Sequence, residues 1–331
     1  MRSAVLSLLW RRLIWGVVTL MAVTFAIFAL AAASPKDPLE AYLGVRYQYT
    51  SPDLRAQIGE HLGVDAPWIV HWWNWMSAAF QGDWGYSRLM GEPVTMVLSE
   101  RLPYSLILGG VGLLVAVVAA VLAGVVSLRR PGGFVDRIAW GSAHALQAVP
   151  PVVLALLFSM AAIYIRRAMG KAPDPTEIPW GWAIAVVALS SYPWLTITLR
   201  QSLEEALASA HVQAAVGRGL ERQAIVGQVF SVSWLPFAAS VGQIVPSVVG
   251  GSLIVETVFG IPGIADAAVR AAVGSDFALL APVTVVTCAF ALVGSLLADL
   301  VAVVVDPRVR GRGYPQPTRL KREASQKGVS A

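Results

Sequence analysis

Six stretches of the chain are apolar over about twenty residues each, and more polar segments separate them. An α-helix rises about 1.5 Å per residue, so each stretch can cross a hydrocarbon core of about 30 Å. Inside such a core the backbone has no water to bond, which favours helices. The pattern predicts an all-α polytopic membrane protein with six transmembrane helices, at 13–33, 104–128, 138–165, 179–199, 235–255 and 280–305.

The first apolar stretch also resembles a signal peptide, because it ends in the small-residue sequence FALAAAS. The apolar core of a signal peptide is usually about 7–15 residues long. The stretch at 13–33 is longer, so we expect an uncleaved transmembrane helix.

The outer segment 34–103 is too long for a turn and predicts a small helical cap on the outer surface. Ser51 suits a helix N-cap, Pro52 suits the first helical position, and Gly63 suits a helix stop. One apolar face of this helix would carry Leu54, Ile58 and Leu62. Further on, PWIVHWWNWM contains four tryptophans, which favour the membrane–water boundary.

The composition agrees with a membrane protein. Of 331 residues, 56% are hydrophobic and 14% are charged, against about 25% charged in soluble domains. The single cysteine, Cys288, lies in an apolar stretch, which leaves no disulfide framework and no thiolate metal site. Membrane lipid is therefore the expected surrounding of the chain.

Basic residues flank the apolar stretches and crowd the tail at 306–331, which brings the pI to about 9.6. Arg11, Arg12, Arg129 and Arg200 fall on the same side as the tail if both termini are cytoplasmic, as the positive-inside rule asks. The RRAMGK segment after the third stretch is an exception. A basic tail could also bind nucleic acid, but we interpret it as an anchor beside anionic lipid and expect no nucleic-acid partner.

Recognisable catalytic motifs are absent from the sequence. The only Gly-Lys pair, Gly170 and Lys171, lacks the rest of a phosphate-binding loop, so we expect no ATP hydrolysis by this chain. No H-E-x-x-H or G-x-S-x-G pattern occurs. The histidines are scattered: His61, His71, His144 and His211. We therefore expect no enzyme activity, no metal site and no cofactor bound by this chain.

Two acidic residues lie in or at the end of apolar stretches, where an ionisable group is a functional candidate. Glu256 is at the outer end of the fifth stretch, where water should be close, and Asp299 can reach toward the inner boundary. A proton relay would need a charged partner, and the fifth and sixth stretches contain no Lys, Arg or His. We interpret both carboxyls as structural.

The inner segment 200–234 predicts two short helices joined by a glycine elbow. Residues 203–216 are rich in helix formers, Gly217 and Gly219 break that helix, and LERQAIVGQVF resumes a second one. Small alanines on the first helix would let a partner's groove approach its backbone closely. The same pattern fits an ordinary helical hairpin, and spacing alone does not separate the two readings.

Within this segment, the Glu-Ala start, the later glycine and the Leu-Pro close resemble the EAA loop of ABC importer permeases. Other segments are similar, in the same order, to the dipeptide/oligopeptide branch of that family: PKDP, GVDAPWIVHWWNWM, GDWGYS, GEPVTMVLSERLPYSL, GGFVDR, QAVPPVVLALL, ETVFGIPGI and LLADLVAVVVDPRVRG. The ordered set covers nearly the whole chain and is far more specific than any one segment.

The resemblance implies the ABC type I importer permease fold and ATP-driven uptake of di- or oligopeptides, or similar small solutes, across a bacterial cytoplasmic membrane. Its implied partners are a second permease subunit in a heterodimer, two ATPase subunits that bind ATP and Mg²⁺, and an extracytoplasmic substrate-binding protein. We divide the chain into the first helix at 1–33, the cap at 34–103, the transmembrane core at 104–305 with a coupling loop at 200–234, and the cytoplasmic tail at 306–331.

By the same resemblance, the first loop helix would sit in a groove of an ATPase and pass its closure on to the spanning helices. The residues that match this role are Glu205, Ala206, His211, Ala214, Ala215, Gly217, Arg218, Gly219 and Leu220. Two positions that are basic in the family pattern are Gln213 and Val216 here, and Gln228 and Ser231 replace a usual His and Arg. Fewer charged contacts are available, so we hypothesise a dedicated, equally divergent ATPase.

The alternative from another class is a stand-alone secondary transporter or channel. It would need inverted repeats, broken helices or a partnered charge near the midplane, and only scattered Pro and Gly interrupt the apolar stretches. A membrane enzyme is a third hypothesis, and the lack of clustered catalytic residues argues against it.

Overall fold

Eleven α-helices and one short hairpin make up the part of the chain that the computed structural model describes, residues 2–34, 39, 43–62, 66–130, 132–170 and 177–305. The helices are α1 (Arg2–Ala32), α2 (Pro52–Leu62), α3 (Trp68–Phe80), α4 (Val94–Arg129), α5 (Phe134–Gln147), α6 (Pro151–Ala168), α7 (Trp180–Leu207), α8 (Ala210–Gly217), α9 (Arg222–Phe259), α10 (Ile264–Val273) and α11 (Phe277–Val305). A short 3₁₀ helix (Gly44–Tyr49) precedes α2, and the antiparallel hairpin pairs β1 (Tyr86–Ser87) with β2 (Glu92–Pro93).

Six of the described helices are long and apolar enough to cross a membrane, which confirms the predicted number: α1, α4, α6, α7, α9 and α11. α4 has 36 residues and α9 has 38, more than the about twenty that a hydrocarbon core needs, so both extend beyond it unless strongly tilted. The bundle has two ends. We call them the cap end, with α2, α3, α10 and the hairpin, and the loop end, with α5 and α8.

The third predicted span, 138–165, was wrong in its extent, because two helices occupy it. The break falls at Pro150 and Pro151, where the chain leaves α5 and enters α6. Proline lacks a backbone N–H and disfavours helix in the residue before it, whereas it is well tolerated at the first position of a new helix. Only α6 is a spanning helix here, and α5 stays at the loop end. The buried face of α5 carries Asp136, Ala139 and Ala143.

α9 is the central helix and contacts α4, α6, α7, α10 and α11. Small residues permit close packing in the bundle: a Cβ added at Gly242 of α9 would meet Ala298 of α11 at 2.5 Å, and one at Gly112 of α4 would meet Val187 of α7 at 2.5 Å. Helices in lipid associate by such packing, so these positions fix where backbones approach. α1 lies outside this group, against α11 and α3.

The start of the predicted cap helix is confirmed. Ser51 Oγ accepts the Leu54 N–H at 3.4 Å, and Pro52 is the first residue of α2. The predicted stop at Gly63 lies outside the described residues.

The tryptophan-rich helix α3 packs on the C-terminal half of α1. Trp72 Nε1 donates a hydrogen bond to Thr24 Oγ1 at 3.1 Å, and its ring meets Phe25 edge-on with centroids 5.5 Å apart. An indole with an apolar body and one N–H suits a site where one side is apolar and the other is wet. α3 therefore ties the cap to the first spanning helix.

Candidate functional site

The predicted coupling loop is built from the end of α7, the short helix α8 and the start of α9. α7 runs on to Leu207, so the single helix predicted over 203–216 is divided at Ser209, which has an extended backbone and caps α8. Serine favours this helix-start conformation over a helix interior. Glu205 and Ala206 therefore lie in the last turn of α7.

The glycine elbow is formed by Gly219 and not by Gly217. Gly219 has φ +71°, its N–H donates to Val216 O at 3.0 Å, and the Leu220 N–H donates to Ala215 O at 3.3 Å. These two bonds form a Schellman ending, whose left-handed residue is usually glycine because glycine adopts that conformation without strain. Gly217 is an ordinary helical residue, so the prediction that it breaks the helix was wrong.

α8 has an inward face and an outward face. Val212 and Ala215 are completely buried where α8 contacts α7 and α9, and Ala206 is 3% exposed. Leu220 is half-buried. Six of the nine positions that match the coupling role are exposed: Glu205, His211, Ala214, Gly217, Arg218 and Gly219. The two buried alanines are small because the chain itself packs on them, so a partner's groove cannot reach them.

The second short helix predicted after the elbow is not a separate element. α9 begins at Arg222 and continues to Phe259, with Pro236 and Pro246 inside it. Internal prolines are tolerated in membrane helices, where neighbouring groups satisfy the freed carbonyls. α8 thus lies between two long spanning helices, α7 and α9, and contacts both of them.

The surface around α8 carries several acidic groups. Glu204, Glu205 and Glu221 are exposed beside the joints, whereas Arg218 is an exposed cation at the C-terminal end of α8. Gln213, at a position that is basic in the family pattern, is exposed and donates through Nε2 to Leu207 O at 2.8 Å. Among the side chains that the structure describes on α8 and its C-terminal end, the one exposed arginine or lysine is Arg218.

An ion pair that the sequence analysis missed ties α5 to α7 near the loop end. Asp136 Oδ1 lies 2.9 Å from Arg200 Nη1, and Arg200 Nε lies 3.0 Å from Glu204 Oε1. The guanidinium also lies over the Trp140 ring, 4.4 Å from its centroid. We call Asp136, Trp140, Arg200 and Glu204 the α5–α7 clamp. The GGFVDR segment, which resembles the family, contains Asp136, but the partner of Asp136 lies 64 residues further on and is visible only in the fold.

Burial raises the pKa of the Asp136 carboxyl, but hydrogen bonds and charge outweigh that effect. Its Oδ2 accepts the Gly132 N–H at 2.9 Å, Ser127 of α4 donates as well, and Arg200 supplies a positive charge. The net result is a pKa below the ordinary aspartate value. The Asp136 carboxyl is therefore ionised at neutral pH.

Glu256 is completely buried, so the expectation of nearby water was wrong. Ser105 Oγ of α4 donates to its Oε1 at 2.7 Å, and the Asp266 N–H donates to its Oε2 at 3.0 Å. The same Ser105 Oγ accepts the Ile264 N–H at 2.8 Å. Any side chain at Gly263 would overlap the carboxyl group. Glu256 thus joins α4, α9 and the first turn of α10, which is a structural role.

Asp299 has a basic partner, Arg12, which lies in α1 and not in the fifth or sixth apolar stretch. Its Oδ2 pairs with Nη2 of Arg12, and both side chains are partly exposed. Arg12 lies on α1, which packs against α11 along this side of the bundle. The pair fastens α1 to the core near the loop end.

An apolar cavity of about 240 Å³ lies between α4, α9 and α11, beside the first turn of α10. The hydroxyls of Ser252 and Thr287 in its wall donate to carbonyls of their own helices, and that of Ser105 donates to Glu256. The wall thus presents almost no free donors to a polar ligand. Across the described residues, no group of three or more His, Cys, Asp or Glu side chains is placed to hold a metal ion.

The fold and the loop define a class of protein: a polytopic membrane protein whose spanning helices carry one short, partly exposed helix at one end of the bundle. Residues 112–311 match the family of binding-protein-dependent transport system inner membrane components, and residues 5–109 match the N-terminal part of such membrane components. The chain belongs to this family and is an inner-membrane, multi-pass permease subunit of an ABC importer. Members of the family work with separate ATPase subunits and substrate-binding proteins.

Several relatives match this chain over most of its length. A putative peptide permease protein of Brucella suis is 26% identical over 312 residues, which cover 90% of this chain and 97% of the relative. The oligopeptide transport system permease protein AppB of Bacillus subtilis is 26% identical over 314 residues, covering 90% and 98%. The dipeptide transport system permease protein DppB of Lactococcus lactis is 28% identical over 271 residues, covering 78% and 86%.

Proposed function

We propose that this permease subunit takes part in the uptake of di- or oligopeptides, and that α8 is the helix through which ATPase subunits drive it. The observation that carries the coupling role is the placement of α8, which exposes one face at the loop end and is packed by the other onto two spanning helices. The peptide substrate is supported by relatives that are named as peptide, oligopeptide and dipeptide permeases.

In this proposal the nine matched positions divide into two groups. The exposed residues touch the ATPase: Glu205, His211, Ala214, Gly217, Arg218 and Gly219. The others hold α8 in place, because Ala206 and Ala215 are buried in the chain and Leu220 closes the helix end. Closure of the ATPases displaces α8, and α7 and α9 carry the displacement into the membrane as rigid bodies.

The proposed assembly contains a second permease subunit in a heterodimer, two ATPase subunits that hold ATP and Mg²⁺, and an extracytoplasmic substrate-binding protein at the cap end. The loop end and both termini would then face the cytoplasm. Arg12, Arg200 and Arg218 at the loop end support this orientation through the positive-inside rule, although Arg166 and Arg167 lie at the other end of α6.

The ATPase partner is proposed to be a dedicated one. Exposed Gln213 and Val216 replace basic residues of the family pattern, and acidic groups flank α8. An ATPase groove that is acidic, to suit the usual cations, would lose charge-assisted contacts here and meet carboxylates instead. Copurification of this chain with an ATPase of a standard-pattern importer, at full stoichiometry and activity, would contradict the proposal.

The coupling role is tested with Arg218→Glu and Gly217→Pro in the reconstituted importer. Glutamate reverses a charge on the exposed face, and proline removes a backbone donor from the last turn of α8. We expect normal membrane insertion but loss of substrate-stimulated ATP hydrolysis. Normal stimulation in the Arg218→Glu complex would overturn the assignment of this face.

The substrate class is tested by uptake of radiolabelled dipeptides and pentapeptides in cells that lack this subunit and in complemented cells. Peptide uptake that depends on the subunit supports the proposal. Equal uptake in both strains, measured where other peptide importers have been deleted, would contradict it.

A further inference from the structure

We propose that the α5–α7 clamp positions the coupling helix: it locks α5 and the loop end of α4 to α7, so that these helices and α8 move as one block. The inference rests on the proposed function, because it assigns to Asp136 and Arg200 the task of passing on the displacement of α8. The two residues touch neither ATP nor substrate, and their role is one of positioning.

The clamp joins α5 to α7 through one carboxylate, which lies beside the end of α4. Asp136 lies on α5, and both of its oxygens are engaged: Oδ1 by Arg200 of α7 and Oδ2 by the Gly132 N–H before α5. Ser127, in the last turns of α4, lies beside the same carboxylate across a small cavity. A rotation of α5 relative to α7 would have to break the bond between Asp136 and Arg200.

Arg200 has three partners, which together fix the orientation of its guanidinium group. Its Nη1 binds Asp136, its Nε binds Glu204 one turn nearer to α8, and its planar group lies on Trp140. A guanidinium that is fixed in a fork and stacked on an indole holds one geometry, whereas a lysine would remain a mobile point charge. The Asp136 side chain is only 7% exposed, so solvent screens this pair less than a surface pair.

The clamp lies close to the end of α7 that leads to α8, so it can restrain how this end moves. Arg200 is seven residues before the end of α7 at Leu207, or about 10 Å, and the helix between them contains neither glycine nor proline. The residue before Arg200, Leu199, packs so closely on Gly124 of α4 that a Cβ added at Gly124 would lie 2.7 Å from the Leu199 side chain. α4, α5 and α7 are therefore joined at one level, directly above the segment that leads to α8.

The test measures whether α5 and α7 move together. Spin labels are placed at exposed Ala145 of α5 and Gln201 of α7 in a chain with Cys288→Ala, within the complex purified through a tag on this chain and with partner cysteines replaced. A second pair joins Gln201 to Phe80 at the cap end, which is 82% exposed. Distances are measured without nucleotide and with ATP trapped by vanadate.

In the wild-type complex we expect the Gln201–Phe80 distance to shift on trapping and the Ala145–Gln201 distance to stay fixed. Asp136→Asn removes the charge and Arg200→Lys removes the stacked fork, so in both variants the Ala145–Gln201 distance should shift or broaden on trapping. Glu177→Gln is the matched control, because it breaks the 2.7 Å Arg166–Glu177 ion pair away from the clamp, and it should behave as wild type.

The outcomes separate the two proposals. An Ala145–Gln201 distance that stays fixed in both clamp variants, while the Gln201–Phe80 distance shifts as in wild type, overturns the clamp. A wild-type complex in which trapping shifts neither pair overturns the proposed ATP-driven coupling instead. If Asp136→Asn cannot be recovered folded, Arg200→Lys, which keeps the charge, decides the question with the same two distances.

Discussion

At the residue scale, the shape of the coupling loop depends on Gly219. Its φ of +71° is a left-handed conformation, in which a Cβ costs about 1 kcal/mol, although no atom would obstruct that Cβ. We expect Gly219→Ala to loosen the end of α8, seen as faster amide hydrogen exchange at Leu220, and to weaken ATP-driven transport. Gly217→Ala is the control, because Gly217 is helical and alanine favours a helix. Equal effects of the two substitutions would contradict the assigned elbow.

The Asp136 carboxyl predicts how the stability of the chain depends on pH. Its folded-state pKa is lowered, so its stabilising effect is complete above the unfolded aspartate value of about 4 and is lost as pH falls through the lower folded value. The difference in melting temperature between wild type and Asp136→Asn should therefore stay constant between about pH 5 and pH 8 and shrink below about pH 4. The measurement is thermal unfolding of the chain in lipid nanodiscs. A difference that changes near pH 6 would point to a group other than this carboxyl.

At the element scale, neighbouring alanines of α8 separate docking from folding. Ala214 is exposed and Ala215 is completely buried. Ala215→Trp should overpack the contact with α7 and α9 and lower the free energy of unfolding by about 2 kcal/mol. Ala214→Trp should leave the stability of the isolated chain unchanged but block assembly with the ATPase subunits. The two quantities are measured by thermal unfolding and by the subunit ratio of the purified complex.

Ala214→Trp and Ala215→Trp are controls for each other, because they place the same side chain on opposite faces of α8. Assembly that survives Ala214→Trp with full ATP-driven uptake would mean that this face of α8 does not enter a groove. A stable chain with Ala215→Trp would mean that α8 is not packed as described.

The elements that sequence could predict were those set by apolar length, and the ones it missed depend on local chemistry or on tertiary contacts. The six spans follow from length and hydropathy alone. The separation of α5 from α6 depends on the local effect of Pro150 and Pro151, which length and hydropathy do not record. Which glycine turns the chain after α8 depends on backbone φ, and composition assigns Gly217 and Gly219 equally. The burial of Glu256 is also decided by α10, which folds back over the end of α9.

At the scale of the whole molecule, polar contacts between distant segments hold the apolar bundle in register. Arg12 and Asp299 join the first and last spanning helices, and the α5–α7 clamp joins the short helix α5 to the spanning helix α7 at the loop end. Sequence comparison within single spans cannot find such pairs, because the partners lie far apart along the chain. In lipid, close packing at small residues sets where the helices approach, and these polar links add contacts that only one register allows.

At the cap end, the hydrogen bonds of Ser105 join α4 to Glu256 of α9 and to the first turn of α10, and they give a further prediction. Ser105→Ala removes the hydroxyl that donates to Glu256 and accepts the Ile264 N–H, so two buried groups lose their partner. Unpaired buried groups cost about 1–3 kcal/mol each, and we expect a lower melting temperature with faster hydrogen exchange confined to the first turn of α10. Ser99→Ala on the same helix is the matched control, because its exposed hydroxyl bonds only to the Met96 carbonyl. α10 borders the apolar cavity between α4, α9 and α11, so a loosened first turn should also expose the wall of that cavity. Hydrogen exchange that rises equally throughout the bundle would instead show that Ser105 stabilises the whole fold and not the position of α10 in particular.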